Sequence, residues 1–576
     1  MQGTSIFGVP FLLEESDCFM QQNKSKTSSV LVQAGVLAAA SIIVRIIGLL
    51  YRSPLTAIIG DEGNGYYGSA YNIYTIVLMI SSYSVPSAIS KLMSQKLALG
   101  EYKNAQQIFH SALFYGLLVG AAASALLFFG ASILVPTVAV PVLQVFAPTV
   151  FLFGLLGALR GYFQAHGSMV QTSVSQILEQ LANAAVSIGA AAFLMHLVAD
   201  KDTTTRAQYG AMGSALGTGS GVLIALLFMC FCYYRHHQAI KERCEADTVS
   251  QKERFGAVFR ETVLVITPFM LSGVILNLTT SLNQTIYYRI MIYLRGVGET
   301  AATTDYGIFS NKAVVISNIP ISIATAMASA IIPSISAAYA RGSLEETRHR
   351  AYNSVRITAM IAIPATMGLC LLSRPITWML YPQMESLDEA SGLLSVVAIT
   401  VLFYSVATIT NAVLQSIGKI NMPLVSAGIA LIVQTVVLCI LLVTTNLGVY
   451  ALAIVSVIYS VMIFACNEIF LSRYLKIRRD AARTYGRPFL CALVMGAAGV
   501  IVYELLFHLL GLVIGRAYFV NLIAGLLALL VCVVLYFFLL AKSGTMTRND
   551  VRSVPKGEKI CRLMERFHWF PARKAA

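Results

Sequence analysis

The residues with the clearest potential for chemistry are two arginines, Arg45 and Arg52, near the start of the chain. Arg45 lies within the apolar run 30–50, about 22 Å along it at a rise of ~1.5 Å per residue. A charge at that depth of a membrane span costs at least ~2.5–3.5 kcal/mol on insertion scales, so its side chain is expected to face protein or a water-filled cavity. Arg52 follows seven residues later, close to two helical turns, which places both guanidinium groups on one helix face. This spacing predicts an anion site.

A third arginine, Arg289, closes the segment TSLNQTIYYR at the end of a later apolar run. Guanidinium groups suit bidentate binding of pyrophosphate oxygens better than ammonium groups do. Arg45, Arg52 and Arg289 are therefore the predicted substrate-binding residues. The alternatives are structural: Arg45 could be a snorkelling or carbonyl-paired arginine that holds two helices together, and Arg52 could anchor its helix at the membrane interface.

Acidic residues are rare within the apolar runs, and Glu179 in SQILEQ is the best placed of them. It is the predicted residue for ion or charge coupling, sensing a cation or neutralising a cavity. The alternative is an ion pair with Arg160 or Lys91. No metal site and no catalytic residue are predicted. Because no Gly-Lys-Ser/Thr phosphate-binding loop occurs, ATP hydrolysis by that route is excluded, and the chain is not expected to be an enzyme.

The composition requires a membrane environment for these residues. Hydrophobic residues make up 57% of the chain and charged residues only 12%, against roughly 25% charged residues in an ordinary globular domain. A net charge of +14 could suggest nucleic acid. The basic residues, however, cluster beside apolar runs, so anionic membrane lipids are the expected partner and nucleic acid is not.

The apolar runs predict an all-α polytopic membrane protein with about fourteen transmembrane helices. The predicted spans are 30–50, 69–90, 107–135, 140–159, 172–198, 209–234, 261–288, 308–337, 353–373, 390–416, 421–444, 447–472, 488–511 and 517–541. Connections after even-numbered spans hold 21 Lys and Arg residues, and those after odd-numbered spans hold 8. Because positive charge favours the cytoplasmic side, both termini are predicted to be cytoplasmic.

Short motifs recur in the same order in the two halves of the chain. GYFQAHGSM at Gly161 recurs as AVLQSIGKI at Ala412 with an offset of 251, and VPSAIS at Val85 recurs as IPSISA at Ile332. The halves start six spans apart in the same orientation. This pattern predicts two six-helix lobes related by a pseudo-two-fold axis along the membrane normal, an arrangement that supports alternating access.

The chain accordingly divides into six predicted parts. These are a cytoplasmic extension 1–29, a first lobe 30–234, a cytoplasmic linker 235–260, a second lobe 261–472, two further helices 488–541 and a basic cytoplasmic tail 542–576.

Two segments carry a family resemblance, RIIGLLYRSPLTAIIGDEGNGYYGSAYNIY from Arg45 and VPSAISKLMSQKLALGEY from Val85. They resemble the multidrug/oligosaccharidyl-lipid/polysaccharide exporter superfamily, and within it the polysaccharide transporter branch of stage V sporulation protein B and Gram-positive lipid II flippases. In flippases of this family, cationic residues on the two helices that correspond to spans 1 and 7 bind the substrate's pyrophosphate. The resemblance also implies that spans 13 and 14 form a groove for the lipid tail, and that the protein resides in a bacterial cytoplasmic membrane.

The expected function is therefore export of an undecaprenyl-pyrophosphate-linked saccharide by alternating access, with lipid II as the specific candidate. No cofactor is expected beyond a coupling ion, for which a monovalent cation and a proton are the candidates. Cell-wall synthesis proteins are candidate partners. Two alternatives stay open: a cation-coupled multidrug antiporter of the same superfamily, and a membrane scaffold for cell-wall or sporulation complexes that transports nothing.

Overall fold

The computed structural model describes residues 26–83, 85–250, 253–419, 421–476, 480–512, 515–548, 557–566 and 569. The predicted extension 1–29 lies almost wholly outside these residues, and so does much of the predicted tail 542–576. Within them the regular structure is helical and contains no strand. The all-α architecture is confirmed.

The first half of the chain forms a bundle that we call the first lobe. Its helices are α1 (Lys26–Leu78), α2 (Val85–Ala98), α3 (Tyr102–Phe129), α4 (Ala131–Leu134), α5 (Val140–Ala165), α6 (Val170–Leu197) and α7 (Thr203–Ala246). Helix α1 breaks at Gly60, whose φ of 69° lies in the left-handed region that glycine adopts without strain. The break separates segments 26–59 and 61–78, and a π-helical turn, Met79–Tyr83, follows.

The second lobe repeats this order. Its helices are α8 (Phe255–Tyr288), α9 (Glu299–Gly307), α10 (Val314–Ala340), α11 (Leu344–Leu371), α12 (Ser373–Leu380), α13 (Leu387–Val397), α14 (Ile399–Ser416), α15 (Asn421–Thr444) and α16 (Tyr450–Leu475). Three helices complete the described chain: α17 (Arg487–Gly511), α18 (Ala517–Lys542) and α19 (Gly557–Arg566).

All fourteen predicted spans fall on helices. By length and composition, 12 helices of the described chain could cross a membrane. One of them, Ile43–Ala98, covers the end of the first predicted span and all of the second and includes the break at Gly60, whereas α8, at the seventh, is not among the 12. The protein is a multi-pass membrane protein, and the count of fourteen stays a prediction.

Matching turns in the two lobes support the predicted repeat. Helices α5 and α14 both end at a glycine with positive φ, 78° at Gly167 and 77° at Gly418. The Gly167 amide donates to the Gln164 carbonyl at 3.0 Å, and the Gly418 amide donates to the Gln415 carbonyl at 3.0 Å. Residues separated by the offset of 251 seen in the sequence thus have equivalent backbone geometry at these turns.

A second pair of turns corrects one part of the repeat. Gly100 and Gly342, with φ of 79° and 76°, end corresponding helices with matching hydrogen bonds. Pro86 lies fourteen residues before Gly100, whereas Pro333 lies nine residues before Gly342. The VPSAIS and IPSISA motifs are therefore out of register with the fold, and their similarity was not evidence for the repeat.

Close helix contacts hold the first lobe together. A Cβ atom on Gly116 of α3 would lie 2.8 Å from the carbonyl oxygen of Gly154 on α5, and a Cβ on Gly154 would lie 2.9 Å from that of Gly116. Because lipid tails are as apolar as the helix surfaces, such small residues, which allow close packing, drive helix association in membranes.

Helix α8 connects the two lobes by packing in both. Near its start, Val258 and Ile266 are buried in the apolar cluster of the first lobe, and the ring of Phe259 lies 5.4 Å from that of Phe114. At its other end, Tyr287 and Tyr288 are buried in the cluster of the second lobe. The predicted lobe boundary at 261 thus falls within a helix that contacts both lobes.

The connection between the lobes is shorter than the predicted linker 235–260, because α7 continues to Ala246 and α8 begins at Phe255. Asp247 ends α7 by accepting hydrogen bonds from the amides of Lys103, Val249 and Ser250. Lys96 pairs with Glu253 at 2.8 Å. These contacts fix the connection to the first lobe. We call this end of the bundle the linker end, and the opposite end, at Gly60, the seam end.

Candidate functional site

The two lobes meet closely at the seam end, where helix segment 61–78 crosses α9. A Cβ atom on Gly65 would lie 2.3 Å from the carbonyl oxygen of Thr303, and one on Gly307 would lie 2.5 Å from the Cα of Gly65. Gly65 and Gly307 precede the matching turns at Gly100 and Gly342 by the same number of residues. Because equivalent residues of the two lobes are in contact, the pseudo-two-fold axis passes through this point.

Polar contacts across the lobes accompany the crossing, and we call this set of contacts the seam. They are Asn311 Nδ2 to the Asn64 carbonyl at 2.8 Å, Asn72 Nδ2 to the Tyr306 hydroxyl at 3.0 Å, Gln284 Nε2 to the Ser69 carbonyl at 2.9 Å, and a bond between the hydroxyls of Ser69 and Tyr288. Direct helix contact together with buried hydrogen bonds seals this end of the bundle.

Arg52 lies on the side of the seam nearer the linker end and is half-buried. The Arg52 guanidinium interacts electrostatically with four tyrosines: Tyr51, Tyr67, Tyr71 and Tyr381. The first three belong to the first lobe, whereas Tyr381 follows α12 in the second, so Arg52 lies where the lobes meet. A guanidinium group among phenolic hydroxyls offers donors in several directions, which suits the oxygens of a phosphate.

Arg45 lies seven residues earlier on the same helix, as predicted, and its side chain is exposed. The neighbouring face of the helix packs on α6, since a Cβ atom on Gly48 would lie 3.1 Å from Nε2 of Gln180. Within the described chain Arg45 forms neither an ion pair nor a hydrogen bond. Pairing with carbonyl groups therefore has no contact to support it, and the snorkelling alternative stays open.

Arg289 occupies a different environment. It follows the buried Tyr288 at the end of α8, but its own side chain is exposed and its guanidinium lies 5.8 Å from the ring centre of Tyr293. Tyr293 is itself 75% exposed. The prediction that Arg289 joins Arg45 and Arg52 around one ligand stays a prediction.

Glu179 is engaged in an ion pair. Its Oε2 accepts from Arg160 NH2 at 2.7 Å, and Arg160 Nε also donates to Ser175 at 2.9 Å. The Arg160 side chain is 7% exposed and that of Glu179 is 25% exposed. The structural alternative considered for Glu179 is thus present in this conformation, and its coupling role stays a prediction.

A buried amide pair occupies the second lobe between α8 and α15. Gln434 Nε2 donates to Asn283 Oδ1 at 2.9 Å, and Asn283 Nδ2 donates to Gln434 Oε1 at 3.3 Å. Each side chain satisfies the other without any charge. A cation at this position would meet only neutral amide oxygens, and both already accept hydrogen bonds.

Two sequence interpretations need correction. From the sequence, Tyr66, Tyr67, Tyr71 and Tyr74, at the start of the second predicted span, are expected to form an aromatic belt at the membrane interface or a surface on which sugars stack. Tyr66, Tyr67 and Tyr74 are instead buried, and the ring of Tyr74 stacks on Phe146 at 4.7 Å. Lys312 is one of the eight basic residues counted above in the connections after odd-numbered spans, but it lies inside predicted span 308–337 and is only 2% exposed. Predicted spans therefore contain a buried basic residue in addition to the exposed Arg45. A lysine within an apolar run was the signal that could have identified it.

Comparisons with known proteins agree with this architecture. Residues 30–339 match the family described as polysaccharide biosynthesis protein, and residues 278–441 match the MatE family. Lipid II flippase MurJ of Bacillus subtilis is 24% identical over 71% of this chain and 77% of its own length. Stage V sporulation protein B of the same organism is 23% identical over 80% of this chain and 88% of its own length.

Among solved structures, lipid II flippase MurJ in an inward closed conformation superposes with a TM-score of 0.62 at 14% identity, covering 88% of this chain and 98% of that one. At that identity the likeness shows the fold. The family match covers more than half of the chain, and one of these relatives is named a flippase. The chain is therefore a membrane transporter of the multidrug/oligosaccharidyl-lipid/polysaccharide exporter superfamily, and it belongs to the polysaccharide biosynthesis protein family.

Proposed function

We propose that this transporter flips an undecaprenyl-pyrophosphate-linked saccharide, with lipid II as the specific substrate, across a bacterial cytoplasmic membrane. The observation that carries the proposal is the position of Arg52. It is a half-buried guanidinium among tyrosine hydroxyls at the junction of the lobes, next to a sealed end. A pyrophosphate that enters from the linker end would meet Arg45 first and Arg52 at the closed end of its path.

The positive-inside pattern predicts that the linker end and both termini face the cytoplasm. In that orientation the described conformation is sealed towards the outside. Transport then requires the seam to open while the linker end closes, so that the headgroup leaves on the other side. The lipid tail would stay in the bilayer along α17 and α18, and a monovalent cation or a proton would supply the energy.

The multidrug antiporter is the weaker alternative. A cationic drug that bound on the linker side of the seam, beside Arg52, would need an uncompensated carboxylate there, but Glu179 is paired with Arg160 and the buried pair Asn283–Gln434 is neutral. A non-transporting scaffold would not need an arginine held among tyrosines between two lobes. Lipid-linked pyrophosphate accounts for the positive charge at this junction.

The test is exposure of lipid II at the outer leaflet of cells depleted of their own flippase. We would compare the wild-type chain with Arg52→Ala, Arg45→Ala and, as a matched control, Arg374→Ala, whose side chain is 63% exposed and pairs with Asp388. Rescue by the wild type and by Arg374→Ala, with loss in Arg52→Ala at equal expression, is the expected result. Rescue by all three variants would refute the proposal that Arg45 and Arg52 bind the anion. Rescue by none of the chains would refute lipid II as the substrate.

A further inference from the structure

A buried ion pair links the two lobes within the seam. Lys312 lies in the π-helical turn Ile308–Ala313 of the second lobe, and its ammonium pairs with the carboxylate of Asp61, the first residue after Gly60 in the first lobe. The Lys312 side chain is 2% exposed and that of Asp61 is 15% exposed. Opening the seam moves these two residues apart, because they belong to different lobes.

The remaining contacts of Lys312 belong to its own lobe. Its Nζ donates to Ser386 Oγ at 2.7 Å and lies 5.7 Å from the ring centre of Tyr381. The Tyr381 hydroxyl donates to the Asn311 carbonyl at 2.9 Å, which fixes the ring beside the lysine. Lys312 is therefore held by the second lobe, and Asp61 is its partner across the seam.

A second carboxylate is within electrostatic reach of the same ammonium. Glu389, one turn after Ser386 in α13, interacts electrostatically with both Lys312 and Asp61. The other titratable groups that face this cluster are Asp305, Tyr287 and Tyr450, and Glu62 beside Asp61 accepts from the Tyr66 hydroxyl at 2.5 Å. Asp61 and Glu389 thus share one ammonium, and the half-buried Asp305 faces Glu389.

Separating a buried ion pair while both groups stay charged is strongly unfavourable, because each charge loses its partner before water replaces it. A proton on Asp61 neutralises one of the two charges, so only Lys312 still needs a partner when the pair separates. Glu389 offers Lys312 that partner in its own lobe. The fractional exposure of Asp61 gives a proton access to the carboxylate.

We propose that Asp61, Lys312 and Glu389 form a proton-operated latch: one proton binds the Asp61 carboxylate, Lys312 transfers its ion pair to Glu389, and the seam opens. Closing the seam returns the proton to solvent as Asp61 recovers Lys312. The latch rests on the proposed function only in that the protein alternates between states open to either side. It makes the proton the ion that controls opening at the seam end.

The test measures the opening of the seam without any substrate. In a chain whose native cysteines are replaced, Lys201→Cys in the first lobe and Thr444→Cys in the second carry spin labels, since both residues are exposed near the seam end. Electron paramagnetic resonance then reports their separation in lipid nanodiscs between pH 5.5 and 8.5. For a single proton, the ratio of open to closed molecules is expected to rise by up to ~tenfold per pH unit on acidification.

Three variants identify the groups. Asp61→Asn, which resembles the protonated carboxylate, is expected to open the seam at every pH. Glu389→Gln removes the replacement partner and is expected to move the transition to lower pH. Asp388→Asn makes the same charge change at a residue 79% exposed on the same helix, and it is expected to behave as the wild type. Exchanging the charges, Asp61→Lys with Lys312→Asp, should restore the closed state at neutral pH.

A wild-type pH response in Asp61→Asn would overturn the proposal, and so would opening that follows sodium concentration at constant pH. If Asp61→Asn fails to fold, as size-exclusion chromatography would show, an unchanged transition in Glu389→Gln would overturn it. Because no substrate is present, the failure of the latch leaves lipid II transport untouched, and a wrong substrate leaves the latch untouched.

Discussion

Gly65→Ala is expected to shift the protein towards opening at the seam end. The new Cβ atom would lie 2.3 Å from the Thr303 carbonyl oxygen, whereas ordinary contact begins at 3.4 Å. The two helices must therefore separate by about 1 Å, and both contacting groups are backbone or Cβ, which cannot rotate away. Overpacking of this kind costs about 1–3 kcal/mol. The strain exists only while the seam is closed, so the ratio of open to closed molecules should rise by about 5- to 150-fold.

Ser310→Cys provides the reporter for this change. The Ser310 hydroxyl is buried without a hydrogen bond in the described structure, and it lies 3.3 Å from the Cβ position of Gly68 across the seam. A cysteine at 310, in a chain without its native cysteines, should react slowly with a membrane-impermeant maleimide applied outside intact cells. In the Gly65→Ala background the labelling rate should increase by the same factor as the open population.

Gly189→Ala is the matched control, since Gly189 lies within α6 with no atom near its Cβ position. Alanine in place of glycine in a helix adds ~1 kcal/mol of helix stability and should leave the labelling rate unchanged. Equal rates in Gly65→Ala and the wild type would refute the argument that backbone contact at Gly65 seals this end. Equal increases in both variants would assign the effect to a general loosening of the fold.

Three further outcomes follow from contacts away from the seam. Arg160→Met should lower the free energy of unfolding by roughly 1–3 kcal/mol, since it leaves the partly buried Glu179 unpaired. In a detergent thermal melt, the double variant with Glu179→Leu should recover most of this loss. Asn467→Leu should cost a similar ~1–3 kcal/mol, because Asn467 accepts from Ser426 at 2.8 Å and donates to Asn411 at 2.7 Å; the same melt checks it, and an unchanged midpoint would contradict the prediction. Hydrogen bonds from the amides of Lys103 and Ser250 and from the Ser250 hydroxyl lower the pKa of Asp247. The stability that this carboxylate contributes is therefore present above its unfolded pKa of ~3.9 and is lost as the pH falls further. On acidification, the melting temperature should fall more in the wild type than in Asp247→Asn.

The sequence predicts the helices well because an apolar segment in lipid must pair its own backbone N–H and C=O groups, and a helix is one of the few structures that does so. All fourteen predicted spans coincide with helices for this reason. The repeat was recovered where a glycine with positive φ is required, at Gly167 and Gly418. It was misread at Pro86 and Pro333, where no such constraint acts and short apolar motifs match by chance.

The site was predicted less completely. The anion site was inferred from the cost of placing Arg45 in lipid and from the two-turn spacing between Arg45 and Arg52. The pair Asp61–Lys312 could not be inferred, because its members are 251 residues apart and Asp61 lies in the predicted connection 51–68, where exposure to water is the default interpretation. The packing of Val258 and Ile266 against the first lobe was equally hidden, since an apolar helix gives no indication of which neighbour it contacts.

The attachment of the last two transmembrane helices makes the halves of this transporter unequal. Tyr536 donates to the Met360 carbonyl at 2.8 Å, and Tyr518 donates to the Met379 carbonyl at 3.1 Å. Helices α17 and α18 therefore travel with the second lobe, whereas Arg45 and Arg52 travel with the first. A ligand whose anionic head rests on those arginines and whose tail lies along the added helices would straddle two bodies that move against each other. Each turnover would then shear the ligand along its own length, so the flexibility of the bond between head and tail would become a determinant of which molecules can be carried.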